Sequence, residues 1–217
     1  MSGLPGQYQG LSQIDAPQAQ PQASPWCGGL SENELAQDRL HLLALLTRLA
    51  YEKRHVVLAS GRESDFYIDT KQATLTAEGH FLVGRLVLSR LVAAYPDAQA
   101  VGGMTMGADP IASAVSLTSW LWGRPLPAFY VRKEPKGHGT NQWLEGKKAI
   151  PPGARVAVVE DVVTTGGSTL KAVERIRSEG FLVDGVVALV DRQEGGCEAV
   201  RAAGISIEAL FVRSDFP

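Results

Sequence analysis

The chain has 217 residues, 45% of them hydrophobic and 20% charged, with a formal net charge of −2. This is long enough for one α/β-sized domain with elaborations and a substantial core. The near-neutral balance argues against a nucleic-acid surface, and no apolar run approaches the ~18 residues of a membrane span.

Residues 1–29 are rich in Gln, Pro, Gly, Ala and Ser, and the first basic residue of the chain is Arg39. A secretory or transit peptide needs early positive charge. The segment therefore reads as a disordered tail, with Trp26 as the residue able to dock it. Ser31-Glu32-Asn33-Glu34 is a capping box with Leu30 and Leu35 as a hydrophobic staple. It opens a helix to about Tyr51, with Leu35, Leu42, Leu46 and Leu49 on one face. Val56–Ala59 and Phe66–Asp69 read as two short strands around the turn Ser60–Asp65, and residues 30–75 as a small N-terminal hood. Thr76 caps a further helix to about Ala94, with Phe81, Leu88, Leu91 and Val92 facing inward.

From residue 76 to 217 the pattern becomes strand–helix alternation. Ala100–Gly103 is a buried strand that runs into the loop 103–109. Asp109 as N-cap and Pro110 at the first helical position open a helix through Trp120. That loop is either a second anion site or an ordinary βα turn. Ala128–Val131 is the next strand. Arg132, Lys133, Lys136 and His138 follow it among Gly and Pro without helical or strand period. The stretch reads as a mobile loop over a polyanion, with limits 132–146, or as a solvated charged loop.

Arg155–Val159 is a β-branched run fit for burial on both faces, as in a parallel sheet. Glu160, Asp161, Val162, Val163, Thr164, Thr165, Gly166, Gly167, Ser168 and Thr169 come next, then a helix ending at Gly180. Hydroxyls, glycines and backbone N–H groups at a helix N-terminus make a phosphate cradle. Glu160 and Asp161 would repel a phosphate, so they suit donors such as a ribose diol. A phosphate and a diol side by side describe a ribose 5-phosphate. The competing reading is a tight turn whose Ser and Thr only cap the helix. No Walker A loop or Gly-x-Gly-x-x-Gly fingerprint is present. Val183–Val190 is a second buried strand, so the stretch lies within a βαβ unit, at the carboxyl end of its first strand. Asp191-Arg192-Gln193-Glu194 then reaches the same rim, where Arg192 can grip a planar carboxylate or form a surface salt bridge. A helix over 197–203 and a strand over 205–212 close the chain. Cys27 and Cys197 are isolated and lack metal-ligand spacing. They read as free thiols in a reducing cytoplasm.

The 159–169 stretch resembles the phosphoribosyl pyrophosphate (PRPP) motif of type I phosphoribosyltransferases. Ser60-Gly61-Arg62, the 103–109 loop, the Arg132–His138 segment and Asp191–Glu194 stand around it in an order similar to that of orotate phosphoribosyltransferases, from about residue 35 to the C-terminus. The resemblance implies a mostly parallel sheet flanked by helices under a small hood. It also implies phosphoribosyl transfer from PRPP to orotate. It assigns PRPP binding to Arg132, Lys133, Lys136, His138 and residues 160–168, with Lys136, His138 and Asp161 catalytic. It places orotate against Thr164, Arg192, Tyr67 and Ile68. Mg²⁺ is the implied cofactor, with no side chain assigned as metal ligand. A homodimer that shares the mobile loop is the implied assembly, with no nucleic-acid or membrane partner.

Two positions depart from the family pattern. Ala59 stands where a Lys often precedes the Ser-Gly-Arg turn, and Met106-Gly107-Ala108 stands where Tyr-Lys-Gly is common. Mg²⁺, backbone N–H groups and the cations of 132–138 are expected to carry the missing charge. Phosphoribosyl transfer to a different base, and PRPP sensing without catalysis, are the alternative functions.

Overall fold

The computed structural model describes residues 30–57, 63–135 and 142–217. The expected tail 1–29, the Ser60-Gly61-Arg62 turn, Ala59, Cys27, Lys136 and His138 lie outside them.

Helix α1 (Glu32–Leu49) starts at the expected capping box: the Ser31 hydroxyl accepts from Glu34 N, and Glu34 reaches back to Ser31 N at 2.9 Å. It ends two residues before the expected Tyr51. That residue instead starts β1 (Tyr51–Val57), where its ring packs 5.2 Å from Phe66 and 5.7 Å from Phe216. The early helix end leaves Leu49 40% exposed rather than on the buried face. β1 pairs antiparallel with β2 (Glu63–Ile68) in a separate ribbon. The first strand is thus longer and earlier than the expected Val56–Ala59. The charged run Glu52–His55 hides it, since an exposed ribbon needs no apolar alternation. Phe66 and Ile68 point inward and join the main core. Arg85 grips Asp38 of α1 at 2.7 Å and ties this hood to the rest.

A short helix, α2 (Lys71–Thr74), leads to α3 (Ala77–Ala94), whose N-cap Thr76 accepts from Gly79 N at 3.0 Å. Leu88 and Leu91 are fully buried as expected, but Phe81 is 53% exposed. It lies one turn from the helix start, at the groove between α3 and the helix that bears Leu117 and Leu121, with the Arg85 guanidinium 5.0 Å from its ring centre.

The core sheet is built from β3 (Ala100–Met104), β4 (Ala128–Val131), β5 (Leu144–Glu145), β6 (Arg155–Val163), β7 (Leu182–Asp191) and β8 (Ile207–Val212). Their order is β5-β4-β3-β6-β7-β8, parallel except for the antiparallel edge strand β5. Alternation along the strands fills two cores. Val101, Ala157 and Val159 face α1, α3 and α4 (Ala108–Leu121). Ala100, Val156 and Val158 face α5 (Gly167–Ser178) and α6 (Gly196–Ala202).

β3 and β6 are adjacent, and from them the chain proceeds outward in opposite directions. Their carboxyl ends therefore border the topological switch point, the crevice where open α/β sheets bind ligands. α4 begins one residue before the expected cap. Gly107 is its N-cap, so Asp109 and Pro110 are its second and third residues. Proline is tolerated there because first-turn N–H groups have no helical acceptor in any case.

Candidate active site

The switch point holds an open cleft of about 410 Å³, lined by the 104–107 loop after β3, the end of β6, Ser168, Lys133 and Lys71. β6 runs on through Val163, so Glu160 and Asp161 belong to the strand itself rather than following it. Both belong to the cleft, but their surroundings differ. Glu160 is 4% exposed and accepts from the Thr169 hydroxyl at 2.7 Å and the Ser168 hydroxyl at 3.2 Å. Burial, and then the charge of Asp161, push Glu160 up to about 8. At pH 7 Glu160 accordingly keeps its proton and adds no charge to the repulsion of an incoming phosphate.

Asp161 is the open member. Its carboxylate lies against Gly107, where an added Cβ would meet its atoms at 2.2–2.3 Å. Burial, and then the charge of Asp161, also raise Asp109.

The turn 164–168 closes β6 into α5. Gly166 is the N-cap with φ +79, and the first helical bond runs from Leu170 N to Gly166 O at 2.9 Å. The N–H groups of 167–169 precede that ladder and face outward from the helix start, together with the macrodipole. This is an anion cradle built from main chain. The Ser168 and Thr169 hydroxyls are turned to Glu160, so the buried acid braces the cradle from behind.

Arg192 sits on the same rim, 8% exposed, and donates to Phe66 O at 2.8 Å and pairs with Glu194 at 3.0 Å. It holds the hood strand β2 against the sheet. Tyr67 is half-buried on that strand under the Arg54 guanidinium, 3.8 Å from its ring centre. Ile68 points the other way, into the core. Thr164 lies in the turn itself, half-buried.

Arg132 pairs with Glu145 of β5 at 3.0 Å, and Lys133 is exposed at the cleft. Arg175 of α5 donates to Arg132 O at 2.7 Å and stacks on Trp143, 4.2 Å from the ring centre. Glu179 accepts from Trp143 N at 2.9 Å and from Lys147 at 2.6 Å. Both ends of the 132–143 segment are thus pinned to the helix that carries the cradle. Sequence reading missed Arg175, Glu179 and Lys71, because each acts through a long-range contact that no local motif signals.

A phosphate cradle and paired acids at the switch point of this sheet define a phosphoribosyltransferase. The model of the phosphoribosyl transferase domain family matches residues 99–202. An orotate phosphoribosyltransferase of Sorangium cellulosum is 59% identical over 181 residues, covering 83% of this chain and 94% of that protein. A Mycobacterium tuberculosis orotate phosphoribosyltransferase crystallised with Fe(III) dicitrate is 42% identical with a TM-score of 0.71, covering 82% of this chain and 98% of that one. A second structure of that organism's enzyme, in complex with PRPP, is 35% identical with a TM-score of 0.66, covering 83% and 92%. The chain belongs to the orotate phosphoribosyltransferase family.

Proposed function

We propose that the protein transfers the phosphoribosyl group of PRPP to orotate, giving orotidine 5′-monophosphate and pyrophosphate, a step of pyrimidine biosynthesis. The observation that carries this reading is the main-chain cradle at 166–169 beside the Glu160–Asp161 pair, in a chain of which 83% matches an orotate phosphoribosyltransferase, over 94% of that relative's length. The 5-phosphate takes the N–H groups of the cradle. The acid pair accepts from the ribose hydroxyls, with Asp161 as the member open to the cleft.

In the reaction, the anomeric carbon loses its bond to the diphosphate oxygen and gains one to a ring nitrogen of orotate. The electron pair leaves on pyrophosphate, and the proton of the ring nitrogen passes to it or to water. Positive charge grows on the ribose ring meanwhile, and the Asp161 carboxylate stabilises it. Arg192 and Tyr67 belong to the base side of the cleft, with Thr164 between base and phosphate. Ile68 contributes through the core rather than through the ring of the base. The roles of Lys136 and His138 over the pyrophosphate come from the family resemblance of their segment, which leaves the rim of the cleft after Lys133.

Mg²⁺ fits the donor set here. Asp161 and Asp109 offer carboxylate oxygens, while the described residues contain no group of three metal-ligating side chains. The ion would be held mainly by oxygens of PRPP, and when bound it offsets the charge developing on pyrophosphate.

Among the described residues no helix is long and apolar enough to cross a membrane. A substrate such as PRPP and a buried free thiol at Cys197 favour the cytoplasm. Leu75, Phe81, Leu117 and Leu121 are exposed around a groove of about 580 Å³ between α3 and α4. An apolar face of this kind marks an interface. We assign it to a homodimer. Sedimentation at micromolar concentration should give twice the chain mass, and a monomer would refute the assignment.

The decisive assay is pyrophosphate release that needs both orotate and PRPP. Comparable turnover of adenine, hypoxanthine or uracil would redirect the reading to another base, and PRPP binding without turnover would make the protein a sensor. A second test bears on Asp161. The three atoms nearest a methyl group at Gly107 all belong to the Asp161 carboxylate, the far end of a side chain that can rotate, so Gly107→Ala should fold normally with Asp161 displaced. We expect kcat/KM for PRPP to fall roughly 10-fold or more, with stability changed by less than about 1 kcal/mol. Wild-type kinetics would show that the position of Asp161 is immaterial.

A further inference from the structure

Pyrophosphate leaves as a polyanion, yet the loop after β3 offers it no cation. From Gly103 to Asp109 the one charged side chain is Asp109, whose Oδ1 is buried without a hydrogen-bond partner. With Asp161, Glu160 and Asp69 close by, carboxylates outnumber ammonium groups at this end of the cleft. Among the described residues, the cations that line it are Lys133 and Lys71.

Lys71 comes from the hood rather than from the sheet. It is the first residue of α2, and its ammonium lies 2.5 Å from Asp69 Oδ1. It lines the cleft beside Thr105, Met106, Gly107 and Asp161, and also the adjoining pocket that contains Asp109. Its side chain is 37% exposed, on the cleft side. Asp69 is itself fixed, accepting from Lys71 N at 3.3 Å and Gln72 Nε2 at 3.1 Å. The hydrogen bond from Lys71 to Asp69, then the charges of Asp69 and Asp161, raise the lysine, so it is ammonium throughout the neutral range. An ammonium has three N–H donors. One goes to Asp69, leaving donors for a ligand in the cleft.

We propose that Lys71 is a catalytic residue that contacts the diphosphate of PRPP and the departing pyrophosphate, supplying from the hood the positive charge that the 103–109 loop lacks. Asp69 acts as its positioning residue. The proposal rests on the phosphoribosyl-transfer reading above. No proton moves in this role. The ammonium stabilises the electron pair that arrives on the pyrophosphate oxygen as the bond to the anomeric carbon breaks.

The test compares Lys71→Gln, Lys71→Arg and Asp69→Asn with the wild type in both directions of the reaction. Wild-type turnover establishes the underlying function, and its absence would refute that reading rather than this one. Lys71→Gln should lower kcat/KM for PRPP by roughly 10²-fold or more, as loss of a single charge-stabilising donor does. It should also raise the KM for pyrophosphate in the reverse direction while leaving the KM for orotate near its wild-type value. Lys71→Arg should recover most of the loss. Asp69→Asn breaks the same ion pair but keeps the ammonium, so it should lose much less.

Wild-type PRPP and pyrophosphate parameters in Lys71→Gln would overturn the proposal. So would equal losses in Lys71→Gln and Asp69→Asn, which would make the pair a structural strut. If Lys71→Gln melts early, acetylation of Lys71 in the wild type, followed by mass spectrometry, decides instead. Pyrophosphate with Mg²⁺ should slow the modification of Lys71, and an unchanged rate would count against contact.

Discussion

Gly166→Val is expected to abolish PRPP turnover and to destabilise the protein by about 3 kcal/mol or more. The backbone at 166 has φ +79, a conformation that a β-branched residue adopts only at a cost of about 1–3 kcal/mol. There is also no room. A Cβ would lie 2.8 Å from Gly196 O and 3.1 Å from Val200 Cγ2. The first of these is main chain of α6 and cannot swing aside. Strain and overlap together should lower the melting temperature by roughly 6–12 °C for a chain of this size.

The catalytic effect follows from the same geometry. Relief of the overlap tilts the first turn of α5, and the N–H groups of 167–169 no longer converge on a phosphate. Loss of one such donor costs about 10²–10³-fold in turnover. Gly167 offers the internal control. Its φ is not positive, and a Cβ there would find only Thr165 Oγ1, at 3.8 Å. Gly167→Ala should therefore keep wild-type stability and weaken only the phosphate contact. Thermal melts and PRPP-dependent pyrophosphate release measure both effects. A Gly166→Val protein with wild-type values would show that the left-handed N-cap is not needed.

The contrast between these glycines also shows what the sequence could convey. Thr-Thr-Gly-Gly-Ser-Thr after a β-branched run states the chemistry, because hydroxyls, glycines and a helix start have few other uses in that order. It does not say which glycine bends the chain and which admits the ligand. That depends on α6, thirty residues away, packing against Gly166. The buried strands were readable because a sheet covered on both faces leaves uninterrupted Val and Ala runs. β1 was misplaced for the converse reason: its charged residues pair across an exposed ribbon, where hydrophobic period carries no information. The two-residue β5 has no periodicity to detect.

The site divides along the same line. Residues 160–168 were legible because the chain brings them together locally. Arg192 was placed at the right rim by its position after a strand. Its contact with Phe66 O arises from the hood folding over the sheet, which spacing along the chain cannot express. Lys71 lay unnoticed in an ordinary Asp-Thr-Lys-Gln stretch. Only the three-dimensional arrangement sets it beside Asp161 and the 105–107 loop. The charge missing from that loop was evident in sequence, and a cation from a distant element is a replacement that local motifs do not reveal.

The acid pair yields the other large effect, and its sign depends on pH. Glu160 ionises near 4.5 in the unfolded chain and near 8 in the native protein, raised chiefly by burial and then by Asp161. Below pH 4.5 both states hold the proton and the residue is neutral in the balance. Between 4.5 and about 8 the unfolded chain has released the proton while the native protein retains it. The unfolded state then binds fewer protons, so stability falls as pH rises. Above pH 8 the full penalty of a buried charge is present.

Glu160→Gln removes that titration while keeping the shape and one acceptor for the Thr169 hydroxyl. We therefore expect the variant to match the wild type near pH 4 and to exceed it by about 4 kcal/mol, roughly 8–16 °C in melting temperature, at pH 8.5. Turnover should move the other way. The amide cannot ionise and puts an NH2 group where the acid has its second oxygen, so it serves the ribose hydroxyls and braces Ser168 and Thr169 less well, and kcat/KM for PRPP should drop by roughly 10²-fold. Paired melts at pH 4 and 8.5 with steady-state kinetics at pH 8 check both halves. A variant less stable than the wild type at pH 8.5 would refute the buried, proton-holding state of Glu160. A stabilised variant with undiminished PRPP turnover would leave Asp161 alone as the acid that serves the substrate. The expected exchange of stability for activity, confined to one buried carboxyl, follows if this residue is kept for the ligand at the expense of the fold.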